Sequence, residues 1–174
     1  MLSFKQFFKY LKYLMTHRKW VRDGCFDQGL YLQGIFHDWH KYLPGEFIPY
    51  AKFFYNKDGS KKQLINKTGY SKPTNTGDPN FDFAWFLHQA RAKHHWQYWV
   101  VPEADGSLKA FPMKNRYWRE MLCDWRGAGI AQGVEQDLTD YWKKVREWYI
   151  VNKDKMILHD ITRKEIEDFI GYER

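Results

Sequence analysis

Apolar residues return at steps of three and four along much of this chain, and the helices they predict are separated by one long and several short aperiodic stretches. In the first segment Phe4, Phe7, Leu11, Leu14, His17 and Val21 share one helical face. A second segment, about Phe26 to Leu43, aligns Leu30, Gly34, His37, Asp38 and Lys41, and Gly34 there lets another backbone or a ligand come close. Pro44 ends that helix and opens a third, to Tyr55, in which Pro49 predicts a kink. From Asn56 to Pro79 the periodicity disappears into Lys, Asn, Gly, Ser and Thr, which reads as a long surface loop with a hairpin turn at Asp58-Gly59.

Asp78 and Pro79 form a cap and first position for a helix carrying Phe81, Ala84, Trp85, His88, Ala92, His95 and Trp99 on a common face and ending near Pro102. After a turn at Asp105-Gly106, a segment from Lys114 to Arg126 lines up Tyr117, Met121 and Asp124, with Gly127 and Gly129 closing it. A further helix, about Gln136 to Val151, is amphipathic through Leu138, Trp142, Val145 and Trp148, and Thr162 to Glu165 reads as a capping box opening a short last helix. No repeat and no strand pair emerges. The expectation is a single all-α domain over 1–174, a bundle of six to seven helices with the 56–79 loop as an insertion.

Composition narrows the chemistry only modestly. With 174 residues the chain holds one sizeable core. A formal charge of +7 favours anionic partners, phosphorylated small molecules or nucleic acid, without choosing between them. Cys25 and Cys123 form no CxxC pair, which points away from thiolate zinc and fits a reducing, cytoplasmic setting. The first segment is broken by Lys5, Lys9, Lys12, His17 and Arg18, unlike a signal peptide, and no stretch reaches the roughly 20 apolar residues of a membrane span, so no membrane is expected.

The stripes themselves carry the informative anomaly. His17, His37, Asp38, His88, His95 and Asp124 sit where apolar residues belong. A buried unpaired charge is costly enough that such groups pair, neutralise or bind a metal. Imidazole and carboxylate from neighbouring helices suit Mn, Fe, Co, Ni, Zn or Mg. Helical geometry sets limits: His37 and Asp38 point about 100° apart, and His88 and His95 lie about 10 Å apart along an axis. They serve two ions, or the helix bends. His94 lies off the stripe and replaces His95 only if the chain unwinds at Lys93 to His95.

Taken in order, His17, His37-Asp38, His88, His94-His95 and Asp124 resemble the HD superfamily, whose pattern is a His, a His-Asp doublet, further His residues in its two-metal branch and a late Asp. The run H-D-W-H-K at 37–41 is the most specific part, and the likeness spans about Thr16 to Trp125. With H-H-W-Q-Y-W-V and the late M-I-L-H, the chain also looks like a group of short uncharacterised bacterial and phage proteins. The resemblance implies His17, His37, Asp38 and Asp124 around one divalent ion, and His88 with His95 or His94 around a second, Asp38 bridging. It implies hydrolysis of a small phosphorylated substrate, a nucleotide first among them, with Asp38 and Lys41 catalytic.

Arg18, Arg91 and Lys93 are candidate phosphate contacts, and His40, where the superfamily often has a small residue, either meets substrate or stays exposed behind the site. Glu46 is a supporting acid or a helix-start residue, and His159-Asp160 a decoy at a helix start. The Tyr-Pro pair of the cyclic-dinucleotide-cleaving branch is missing after His95, so that substrate is not assigned. Two other readings compete with the hydrolase: a di-iron oxygenase on the same ligands, and a non-catalytic module that holds nucleic acid or protein.

Overall fold

The computed structural model describes residues 1–62, 76–134 and 136–172. Ser3 opens the first helix, accepting from the Gln6 amide while the Gln6 side chain accepts from the Ser3 amide, and α1 (Phe4–Asp27) then runs for 24 residues. Helices α2 (Tyr31–Phe36), α3 (Pro44–Phe54), α4 (Pro79–Arg91), α5 (Asn115–Ala131), α6 (Lys143–Asn152) and α7 (Asp160–Ile170) follow, with 3-10 turns at Trp39–Tyr42, Trp96–Trp99 and Lys153–Lys155. The molecule is all-α, seven helices among the described residues. No helix among them is long and apolar enough to cross a membrane.

The helices pack around α1, whose most extensive contact is with α5. Gly127 makes that crossing close, because a Cβ there would stand 2.5 Å from Val21 Cγ2 and 3.1 Å from the Val21 amide nitrogen. Gly34 does the same for α2, approaching the Arg22 carbonyl and the Phe26 ring. Tyr10, Leu14, Tyr50, Phe53, Phe81 and Ala84 fill one core between α1, α3 and α4, whereas Met121, Leu122, Val145, Tyr149, Ile166 and Ile170 fill another between α5, α6 and α7. Val21, Cys25, Leu30 and Cys123 form a third cluster with both thiols free.

Several predicted boundaries shift, each for a local reason. No continuous helix joins Phe26 to Leu43: α1 runs through Asp27, Gly29 turns the chain with φ +71°, and α2 lasts six residues. Gly127 and Gly129 lie inside α5 instead of closing it, since close packing rather than a turn is what the first of them serves; the turn falls at Gly133. Helix α6 begins at Lys143, and Leu138 is fully exposed rather than part of its stripe.

Thr162 and Glu165 are not a capping box. His159 caps α7 through its own side chain, Thr162 Oγ1 accepts from the Met113 amide at 2.8 Å, and Glu165 accepts from Trp118 Nε1. A strand pair does occur: Val100–Pro102 pairs antiparallel with Leu108–Ala110 around the expected turn at Asp105-Gly106. Helix α3 passes through Pro49 and α4 starts at Asp78-Pro79 as predicted. The Asp58-Gly59 turn is present and is tied to the start of α1 by Ser3, whose hydroxyl donates to the Lys57 carbonyl at 2.8 Å. The rest of the expected loop, 63–75, lies outside the described residues.

Candidate metal centre

Between the α1–α3–α4 core and its neighbours lies a layer of ionisable side chains. On α1, His17 follows Tyr10 and Leu14 and precedes Val21 on the same buried face. On α4, His88 continues the face of Phe81 and Ala84, and on α5, Asp124 follows Glu120 by one turn. Burial of His17, His37, Asp38, His88, His94 and His95 is nearly complete, none exceeding 9% exposure. The six cannot relax into water and must satisfy one another or bind an ion.

Backbone breaks, not helical periodicity, aim the central residues. Helix α2 stops at Phe36, His37 is extended, and Asp38 takes a left-handed conformation with φ 52°, the only non-glycine residue with positive φ among those described. Asp adopts that conformation at lower cost than most residues, and here it turns the side chain of the doublet away from helical register. The break removes the 100° divergence a helix would impose on the doublet. Likewise α4 ends at Arg91, and the turn from Ala92 carries His94 and His95 back over the helix end. His95 Nε2 then stands 2.8 Å from His88 Nε2, so a straight-helix separation does not apply.

Two groups result. His17 Nε2, His37 Nε2, Asp38 Oδ2 and Asp124 Oδ1 surround one point, with His17–Asp124 at 3.1 Å, His37–Asp38 and His37–Asp124 at 3.4 Å, and His17–Asp38 at 3.7 Å. His88, His94 and His95 surround another, where His88 Nε2 and His94 Nε2 each lie 3.5 Å from Asp38 Oδ1. Ligand atoms about 2.1 Å from a shared ion stand roughly 3.0–3.4 Å from their neighbours, so both sets have room for one. Asp38 Oδ1 and His94 Nε2 are buried with no hydrogen-bond partner among the described residues, as expected of atoms facing an ion. Both His94 and His95 belong to the second group.

Two carboxylates stand behind the imidazoles. Glu120 accepts from His37 Nδ1 at 3.0 Å and lies 3.2 Å from His94 Nδ1, touching one ligand of each group. Glu46 lies 3.2 Å from His88 Nδ1 and 3.1 Å from His40 Nδ1, and on His88 this leaves Nε2 facing Asp38. Sequence periodicity singled out Asp124 and missed Glu120, although Glu120 precedes Asp124 by four residues on the same face. His40 is buried on Glu46 rather than exposed.

Electrostatics separate the histidines. Burial by itself pushes His37 down, but Asp38, Asp124 and Glu120 outweigh it and raise it to about 10. Burial and the Lys41 ammonium hold His88 down at about 4, and burial with its neighbours His94 and His88 keeps His95 well below the usual range. Against burial, His37, Lys41 and His88 keep Asp38 ionised far below the ordinary carboxylate range, as His17 and His37 do Asp124. Lys41 Nζ is 2.5 Å from Asp38 Oδ2, and that ion pair overcomes the desolvation of the ammonium.

A cavity of ≈ 350 Å³ opens onto this layer at His17, Lys41, His95 and Asp124. Its wall is aromatic, with Tyr13, Tyr50, Trp85, Trp96, Trp125 and Trp148, and polar groups come from Gln97, Gln132, Arg126 and Lys144. The expected phosphate contacts lie elsewhere. Arg18 donates to the Ile35 and His37 carbonyls at 2.8 Å, which ties the end of α2 to α1. Arg91 reaches Glu46, and Lys93 is exposed over Tyr98 and Tyr117 because the turn after Ala92 swings it outward while bringing the histidines in. His159 is committed to the α7 cap. No curated protein and no solved structure matches the chain. A family model does match it over residues 6–172, nearly its entire length, and the chain therefore belongs to the family of unknown function DUF5662.

Proposed function

We propose that this protein is a divalent-metal-dependent phosphohydrolase acting on a small phosphorylated substrate, a nucleotide being the best fit. One observation carries the reading: the two oxygens of Asp38 are divided between two histidine groups, Oδ2 toward His17 and His37 and Oδ1 toward His88 and His94. A carboxylate so placed suits a bridge between two ions. The ligand order matches the HD pattern that the sequence resembles. When bound, such a pair of ions clamps a phosphoryl group and lowers the pKa of water toward neutrality.

The chain's own residues supply the rest. Lys41 lies against Asp38 at the cavity floor, where its ammonium can meet a phosphoryl oxygen or the leaving group. Arg126 and Lys144 add positive charge along the wall and replace Arg18, Arg91 and Lys93 as anion contacts. Tyr50 OH, Trp85 Nε1, Gln97 Oε1 and Arg126 Nε, all on cavity-lining residues, are buried with no hydrogen-bond partner among the described residues, which supports a polar ligand there. The Trp faces offer stacking surface for a base.

Purified protein supplied with Mn, Co or Ni and assayed against nucleotides should release phosphate, and Asp38→Asn should abolish release together with metal retention. Absence of any activity that requires both metal and Asp38 sinks the proposal. Tightly held iron with oxygen uptake would replace it by the oxygenase reading.

A further inference from the structure

Helix α2 wears its apolar residues outward. Tyr31, Leu32, Ile35 and Phe36 are 60%, 67%, 49% and 61% exposed and Trp39 in the next turn is 55% exposed, while Gly34 alone of the helix is buried. The hydrophobic effect forbids leaving such a surface bare without a reason. Together these side chains present on the order of 600 Å², the upper end of what monomers expose and close to the ~800 Å² per partner of a stable complex. Phe26, edge-on to Tyr31 at 5.3 Å, extends the patch.

The charges around the patch indicate what covers it. No Asp, Glu, Lys, Arg or His occurs from Gln28 to Phe36. A lipid-docking face needs free Lys or Arg at its rim to meet headgroups. Here Arg18 is spent on the Ile35 and His37 carbonyls, Arg22 pairs with Asp23, and Lys41 is buried on Asp38. Asp27 follows Phe26 in the chain. A centre without formal charge, edged by the Arg22–Asp23 ion pair, complements a copy of itself. We propose that the outer face of α2 and Trp39 is a two-fold, isologous interface with a second copy of this chain. The interface lies on the segment that leads directly into His37 and Asp38, and it is independent of the proposed activity.

Light scattering and sedimentation of the full chain test it. Wild-type protein is expected at twice the chain mass, and Leu32→Glu and Phe36→Glu at the single-chain mass, with the helical circular-dichroism spectrum unchanged. If Phe36→Glu fails to fold, Leu32→Glu decides, because Leu32 is the more exposed position and lies further from the doublet. A wild-type monomer throughout the soluble range overturns the proposal, and so does a dimer that persists in the folded variants. Flotation of the wild type with phosphatidylcholine–phosphatidylserine vesicles, lost in Leu32→Glu, would assign the face to lipid and also overturn it.

Discussion

At the residue scale, the centre depends on groups that share a layer yet hold opposite protonation tendencies. His37 is raised to about 10 by its carboxylates, so at pH 8 the metal-free imidazole carries a proton that an ion at Nε2 must displace, whereas His88, held at about 4, is already neutral. Metal titration at pH 8 should therefore release protons, measured by calorimetry in buffers of different ionisation enthalpy. His37→Gln should reduce the release and His88→Gln should leave it nearly unchanged. Equal effects of the two variants would contradict the assignment. In the metal-free protein the His37 ion pairs contribute fully below its ordinary value of roughly 6.5 and are lost as pH rises through about 10. The inward placement of His17, His88 and Asp124 was legible in the sequence, because each lies on an apolar helical stripe, whereas His37 and Asp38 were grouped with them through a helix that does not form. Glu120 was not, because an acid one turn from Asp124 looks like any solvated helix residue until the His37 and His94 rings are seen against it.

At the element scale, the close α1–α5 crossing keeps His17 and Asp124 at 3.1 Å. Gly127→Ala puts two effects in opposition. Ala favours the helix by about 1 kcal/mol, but its methyl would stand 2.5 Å from Val21 Cγ2 on a fully buried, stiff side chain, and overpacking costs roughly 1–3 kcal/mol. The contact should win. Chemical denaturation is expected to show a loss of up to about 2 kcal/mol, and a gain in stability would show that the helices move apart freely. Periodicity found α1, α3, α4 and α5 because each buries a stripe. It erred over 26–43 and 92–99, where the chain leaves the helix so that His37-Asp38 and His94-His95 can turn inward. Those errors coincide with the candidate site because the breaks in helical regularity are what bring these four side chains inward.

At the scale of the whole molecule, the candidate ligands come from α1, α4, α5 and the two breaks, so an ion held by them would cross-link the fold. Ions at about one hundred times their dissociation constant stabilise the native state by about 2.7 kcal/mol per site, which for this length raises Tm by several degrees. Differential scanning fluorimetry with Mn, Co or Ni against a chelator should show that rise, and Asp38→Asn should lose it. An identical Tm in both conditions would argue against a bound ion. The sequence by itself determined the helical class and the presence of polar residues on faces meant for burial, since both follow from side-chain type and a 3.6-residue period. Only the tertiary structure decided how those residues are grouped, that Asp38 faces both histidine sets, that His94 and His95 both lie beside His88, and that Arg18 and Lys93 point elsewhere. Pattern specifies which face of a helix is buried, but backbone breaks and the packing of distant helices set where each side chain ends.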